Sequence, residues 1–119
     1  MASTRRLRAR GPAPSVVFAA LGDETRLALV ARLAAGGAAS ITELTEHSRL
    51  ARQSRLTRQA ITKHLRVLQR ARMVRCVRAG RESRFELDPR PLSEIEEYIQ
   101  RVSREWDAAL ARLKAFVED

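Results

Sequence analysis

Apolar residues recur at helical spacing in the central part of the chain, from Ser54 to Arg70. There Ile61, Leu65 and Leu68 are separated by four and three residues, which places them on one stripe of a helix that can pack on a core. Thr57 is suited to begin this helix, because its hydroxyl can accept a hydrogen bond from a backbone N–H of the first turn. The pattern predicts an amphipathic helix with its polar side turned to solvent.

A second and longer stripe runs from Leu92 to Val117, and its members alternate spacings of three and four residues: Leu92, Ile95, Ile99, Val102, Trp106, Ala109, Leu113 and Phe116. A helix of about 25 residues would be about 38 Å long, which is more than a small domain needs for its own core. We expect the stripe to pack on a second copy of the chain, with residues 15–21 beside it. The alternative is a long helix that folds back on its own domain.

Two shorter helices are predicted near the N-terminus. Residues 15–21 are apolar and can end at Gly22, and Asp23 is a good N-cap for the helix that follows. Gly36-Gly37 is suited to end this second helix. Its expected inward stripe consists of Leu27, Val30, Ala31 and Ala34.

Residues 40–48 predict one further brief helix, with an N-cap at Thr42 and Leu44 turned inward. A short helix, a turn and then the amphipathic helix form a helix-turn-helix. The turn contains a near-duplication, because Ser48–Gln53 reads SRLARQ and Ser54–Gln59 reads SRLTRQ. We expect a break near residue 56, with the first copy lengthening the preceding helix or loop.

A β-hairpin is predicted after the amphipathic helix. Val74, Cys76, Phe85 and Leu87 alternate with polar residues, and the segment Ala79 to Glu82 supplies a turn. Fold class follows from these elements: mainly α with a small β-hairpin wing, arranged as a winged helix-turn-helix. We expect residues 1–14 to form a flexible basic arm and residues 15–119 a single domain whose last helix, about 92–117, dimerises.

The charge of the 119 residues is strongly positive and unevenly distributed, with 23 Lys plus Arg against 14 Asp plus Glu and a formal net charge of +9. The segment from Arg52 to Arg84, called the basic run below, contains one acidic residue, Glu82. Its basic residues are Arg52, Arg55, Arg58, Lys63, Arg66, Arg70, Arg72, Arg75, Arg78, Arg81 and Arg84. Arginine is well suited to phosphate and base-edge contacts. A polyanion is therefore the expected partner.

Candidate DNA contacts follow from placing these charges on the predicted elements. The polar side of the amphipathic helix carries Arg58, Gln59, Thr62, Lys63 and Arg66, which combine phosphate-binding cations with side chains able to hydrogen-bond base edges. Arg78 and Arg81 lie at the hairpin tip, where they would reach a neighbouring minor groove or its phosphates. The alternative is a solvated basic surface with no ligand.

Other classes of function find little support in the residues. Cys76 is the one cysteine, so no intramolecular disulfide can form, and on a predicted strand it is expected to be a small core residue. One cysteine and two widely spaced histidines do not supply a soft-metal site, and we expect no metal or other cofactor. No catalytic constellation and no long apolar run is apparent. We expect a cytoplasmic protein that is not an enzyme and does not enter membranes.

Several segments, in order, resemble the ArsR-type family of bacterial winged-helix regulators. These are FAALGDETRLALVARLAAGG at Phe18–Gly37, SITELT at Ser40–Thr45, LTRQAITKHLRVLQRARMV at Leu56–Val74 and the Gly80-Arg81 pair of the wing. The resemblance implies a homodimer, held by its first and last helices, that places two recognition helices in successive major grooves of an inverted repeat in double-stranded DNA. On the last helix the implied dimer contacts are Ile95, Ile99, Val102, Trp106 and Leu113.

The chain departs from that family in three ways. Metal-sensing members have a cysteine pair in the short helix, where this chain has Glu43, Leu44 and Thr45, and their histidine-containing site on the last helix is missing here. The resemblance is therefore to the metal-independent branch, and it implies that His64 packs or touches backbone. The duplicated hexapeptide is the second departure. Arg72, where the family commonly has glycine at the helix end, is the third.

Three functions fit the residues, and the first is the one that they favour. The first is a sequence-specific, homodimeric transcriptional repressor whose effector, if there is one, is not indicated by the residues. The second is an architectural protein that binds nucleic acid without sequence preference, for which the charge is equally suitable. The third is a protein-interaction module whose DNA binding is impaired by the duplicated hexapeptide.

Overall fold

The computed structural model describes residues 11–46 and 57–118. Its elements in chain order are α1 (Pro14–Leu21), α2 (Glu24–Gly36), β1 (Ala39–Ser40), α3 (Ile41–Glu46), α4 (Arg58–Arg70), β2 (Val74–Ala79), β3 (Glu82–Leu87) and α5 (Arg90–Glu118). The predicted fold class is confirmed: a mainly helical domain carries a hairpin wing, to which β1 adds a short third strand. Predictions for most of the basic arm, for the first hexapeptide copy and for residues 54–56 lie outside the described residues.

The wing is an antiparallel sheet with strand order β1-β3-β2. Its hairpin pairs Val74 with Leu87 at the base and Ala79 with Glu82 at the tip. The tip contains Gly80 at φ +68°, a left-handed conformation that glycine adopts without the steric penalty of a side chain. The predicted turn between Ala79 and Glu82 is therefore confirmed.

Helix starts follow the predicted caps in two of three cases. Asp23 Oδ2 accepts from the Arg26 N–H at 3.0 Å, and Thr57 Oγ1 accepts from the Ala60 N–H at 3.1 Å. The predicted cap at Thr42 is wrong, because Ser40 Oγ accepts from the Glu43 N–H at 3.1 Å. Strand β1 ends at Ser40 and the helix begins at Ile41, two residues earlier than a cap at Thr42 would place it.

The core lies between α2, α3, α4 and the inner face of the wing. It contains the predicted stripe of α4 and the predicted Leu44 of α3, and its members include Leu29, Val30, Leu33, Leu44, Ile61, Leu65, Leu68, Met73 and Phe85. The predicted stripe of α2 is wrong except for Val30: Leu27 is 52% exposed, and Ala31 and Ala34 are also exposed. This helix is apolar at most of its positions, so spacing alone does not identify the buried side.

Cys76 also departs from its prediction. It lies on β2 as expected, but it is exposed rather than part of the core. The reason is that β2 is an outer strand of the sheet, and only Val74 at its base is buried.

Helix α5 contributes to the core only near its start. Ile95, which was predicted to contact a second copy, is 6% exposed and belongs to the core of its own domain, with Leu92 packed against that core. From Ile99 onward the apolar residues are exposed or, at Val102, half-buried. The ring of Phe18 in α1 lies 6.1 Å from the ring of Tyr98 in α5.

None of the helices in residues 11–46 and 57–118 combines the length and the apolar composition that a membrane span requires.

Candidate nucleic-acid interface

Helix α4 presents a polar side opposite its buried stripe. Ile61, Leu65 and Leu68 are fully buried and hold the helix on the core, while Arg58, Gln59, Lys63 and Arg66 are exposed. Thr62 lies between the two sides and is half-buried. The structure thus brings four of the five predicted contacts of this helix onto its solvent side.

Two of these residues make hydrogen bonds within the protein. Arg58 Nη1 donates to Thr42 Oγ1 of α3 at 2.7 Å, which joins the two helices of the helix-turn-helix. The Thr62 hydroxyl donates to the Arg58 carbonyl at 2.7 Å. In this arrangement Thr62 keeps only its oxygen lone pairs for an external donor, since its one hydroxyl proton is already engaged.

The other predicted contacts lie at the tip of the wing. Arg78 at the end of β2 and Arg81 in the turn are both exposed, and neither has an acidic partner within the part of the chain that the structure describes. Lys63 and Arg66 are likewise without an acidic partner there. These four cations can therefore take up phosphate without first breaking an ion pair.

The wing is attached to the helix-turn-helix through Arg84 of β3. Its Nη1 lies 2.8 Å from Glu43 Oε1 on α3, and its Nη2 donates to the Ala38 carbonyl at 2.9 Å. The hydrogen bond from the Arg84 guanidinium lowers the pKa of Glu43 below its ordinary value, because it stabilises the ionised carboxylate. Sequence reasoning missed this contact, because its two residues are 41 positions apart and carry no shared motif.

Two arginines of the basic run are therefore structural. Arg84 binds Glu43, and Arg75 Nε lies 2.7 Å from Glu86 Oε1 on the neighbouring strand. Their charge is balanced locally, and they contribute less to the field around the protein than their number suggests. Among the described residues of this run, the exposed cations without an acidic partner lie on α4, just after it and at the wing tip: Arg58, Lys63, Arg66, Arg70, Arg72, Arg78 and Arg81.

His64 lies on the half-buried side of α4, toward the N-terminus of α2. Its Nδ1 is 3.3 Å from Arg26 Nη1 and 3.7 Å from Asp23 Oδ2, so it contacts side chains rather than the backbone. Arg26 also donates from Nη2 to the Ala19 carbonyl of α1. Within residues 11–46 and 57–118, no group of three His, Cys, Asp or Glu side chains is placed to hold a metal ion.

Comparison with known proteins agrees with this geometry. Residues 21–77 match the family model of a helix-turn-helix domain. The HTH-type transcriptional regulator Rv2034 of Mycobacterium tuberculosis is 36% identical over 97 residues, which cover 82% of this chain and 81% of that protein. The chain belongs to the ArsR-type family of winged helix-turn-helix transcriptional regulators.

Solved structures show the same relationship. An ArsR-like transcriptional regulator from Rhodococcus sp. RHA1 is 35% identical and superposes with a TM-score of 0.71, covering 87% of this chain and 91% of that one. A possible transcriptional regulator for arsenical resistance is 29% identical with a TM-score of 0.58, covering 77% and 90% of the two chains. The matched relatives are transcriptional regulators and not enzymes, and this chain is a transcriptional regulator with a helix-turn-helix DNA-binding domain.

Proposed function

We propose that this regulator is a cytoplasmic, homodimeric repressor that binds an inverted-repeat operator and competes with polymerase for its promoter. The observation that carries the proposal is the exposed side of α4, where Arg58, Gln59, Lys63 and Arg66 surround the half-buried Thr62. In this proposal α4 enters the major groove, while Arg78 and Arg81 of the wing bind the adjacent backbone or minor groove.

Affinity and sequence preference have different sources in this arrangement. Phosphate contacts from the cations would supply affinity that falls as salt rises, since each contact releases condensed counterions. Gln59 and the acceptor lone pairs of Thr62 would discriminate between bases by about 1 to 3 kcal/mol for each good contact. We propose no metal or other cofactor, in keeping with the metal-independent branch of the family.

Dimerisation would use the exposed apolar residues of α5 beyond the core, together with α1. Ile99, Trp106, Leu110, Leu113 and Phe116 are all large and exposed, and Val16 and Phe18 of α1 are exposed as well. Several large apolar side chains exposed on the same helix are typical of an interface between proteins. Val102 is half-buried and would lie at the edge of the same contact.

The deciding experiment is selection of bound duplexes from a random DNA library at about 0.15 M salt, where purely electrostatic binding is weak. The expected result is a palindromic consensus with half-sites about one helical turn, or roughly 34 Å, apart. Recovery without a consensus would instead favour an architectural nucleic-acid binder. No recovery at all would favour a protein-interaction module.

A further inference from the structure

The hydrogen bond between Arg58 and Thr42 differs in kind from the other arginine contacts of the basic run. Arg75 and Arg84 are held by carboxylates, which neutralise them. Arg58 is held by a neutral hydroxyl at 2.7 Å, and both residues are exposed. A hydroxyl can orient a guanidinium without balancing its charge, so Arg58 stays available to an anion.

The position of the two residues makes this contact informative. Arg58 is the first residue of α4, immediately after the Thr57 cap, and Thr42 lies in the first turn of α3. The bond therefore spans the two helices that a helix-turn-helix applies to DNA. Without it, the long Arg58 side chain would sample many rotamers, and that freedom would be lost on binding.

We propose that Thr42 is a positioning residue, which fixes the direction of the Arg58 guanidinium before DNA arrives. The hydroxyl engages one of the five N–H donors and leaves the others free for a phosphate oxygen or a guanine edge. The expected effect of Thr42 on DNA binding rests on the proposed function. The ordering of Arg58 in the free protein does not depend on the proposed function.

The ordering is tested first, without DNA. Thr42→Val keeps the shape and β-branching of the side chain and removes the hydroxyl, while Thr42→Ser keeps the hydroxyl. Nitrogen-15 relaxation of the Arg58 Nε–H group should show increased fast motion in the valine variant and little change in the serine variant, with Arg66 Nε as the internal control. Equal mobility of Arg58 in all three proteins would overturn the proposal.

The consequence for DNA is tested by a double-mutant cycle on the selected operator duplex. Thr42→Val should weaken binding by roughly 3- to 10-fold, as expected from the loss of one hydrogen bond, and should have no further effect when Arg58 is already alanine. In a Lys63→Ala background, the matched control, the loss should persist in full. A loss of equal size with and without Arg58 would overturn the proposal, because Thr42 would then act on its own.

The two experiments separate the positioning role from the proposed function. If the wild-type chain binds no selected duplex, the operator-binding proposal fails while the relaxation data still decide whether Thr42 orders Arg58. If the wild-type chain binds but Arg58→Ala binds equally well, operator binding stands and the role of Thr42 in it is overturned.

Discussion

At the scale of single residues, the arginines of the basic run make different contacts and have different roles. Arg75 and Arg84 brace the wing through carboxylates, Arg58 is held by a hydroxyl, and Arg78 and Arg81 are exposed at the tip. Their count and order were available from the sequence, and so was the placement of the exposed ones on a predicted helix or turn. Which arginine meets a carboxylate depends on strands and helices that the chain brings together only on folding.

Arg72 is notable for its backbone conformation rather than for a contact of its side chain. It has φ 60° at the end of α4, where the Met73 N–H reaches the Leu68 carbonyl at 2.9 Å and the Arg72 N–H reaches that of Gln69 at 3.0 Å. These two bonds form a Schellman motif, in which glycine is the usual left-handed residue. Arg72 thus adopts the left-handed conformation for which glycine is usual, and this conformation raises the backbone energy of a residue with a side chain.

Replacing Arg72 by glycine should stabilise the domain. The expected gain is about 1 kcal/mol, because the left-handed conformation no longer strains a side chain, although glycine also makes the unfolded chain more flexible. Thermal unfolding at fixed protein concentration measures it as a rise in Tm. Glycine in place of the exposed Arg66, in the middle of the same helix, is the control and should lower stability by about as much. A lower Tm for Arg72→Gly would show that the side chain stabilises the fold through a contact.

At the scale of elements, Asp88 joins the wing to the long helix. Its N–H donates to the Met73 carbonyl at 2.8 Å, and its carboxylate accepts from the backbone N–H and the guanidinium of Arg90. The side-chain hydrogen bond from Arg90 is the main cause that lowers the pKa of Asp88 from its ordinary value of 3.8 to about 2. This pairing was not predicted from the sequence.

The lowered pKa of Asp88 predicts how stability depends on pH. A carboxyl whose pKa falls on folding stabilises the native state above its unfolded pKa, and that contribution is lost as the pH drops from about 4 to about 2. Asp88→Asn should therefore be less stable by about 1 kcal/mol at pH 7, a modest value because the Arg90 side chain is largely exposed. The difference from wild type should shrink toward pH 2.

Urea unfolding at pH 7, 4 and 2.5 measures this effect. Asp107→Asn, in the exposed part of α5, is the matched control and should change stability by less than about 0.5 kcal/mol at each pH. A penalty for Asp88→Asn that is the same at all three pH values would mean that its charge is not the stabilising feature.

At the scale of the whole molecule, α5 has two parts with different roles. Leu92 and Ile95 complete the core of their own domain, whereas Trp106 is 66% exposed and Phe116 is 82% exposed. The heptad spacing is the same through both parts, so periodicity did not separate them. The two parts differ because the other described elements of the domain pack only on the first part of α5.

Trp106→Ala should weaken the proposed dimer and its DNA binding together, because two half-sites are read at once. A buried tryptophan at the centre of an interface commonly contributes about 2 kcal/mol or more, and alanine preserves the helix. Sedimentation velocity across a range of concentrations measures the dimer, and fluorescence anisotropy measures DNA binding. Glu105→Ala, one residue away on the exposed helix, is the control. A dimer of unchanged affinity would place Trp106 outside the interface.

Local rules determined much of this protein from its sequence. Caps at Asp23 and Thr57, the glycine turn of the wing and the inward stripe of α4 depend on residues a few positions apart, whose geometry is set by the helix or turn itself. The net charge and its concentration between Arg52 and Arg84 required no fold at all.

Tertiary structure decided which side chains are buried and which polar groups pair, because both depend on residues far apart in the sequence. It selected the buried side of α2, which is apolar at most positions, left Cys76 exposed on an outer strand, and drew Ile95 into the core of its own domain. It also paired Thr42 with Arg58 and Glu43 with Arg84. Burial and pairing depend on which surfaces meet when the chain folds, and spacing along the chain does not contain that information.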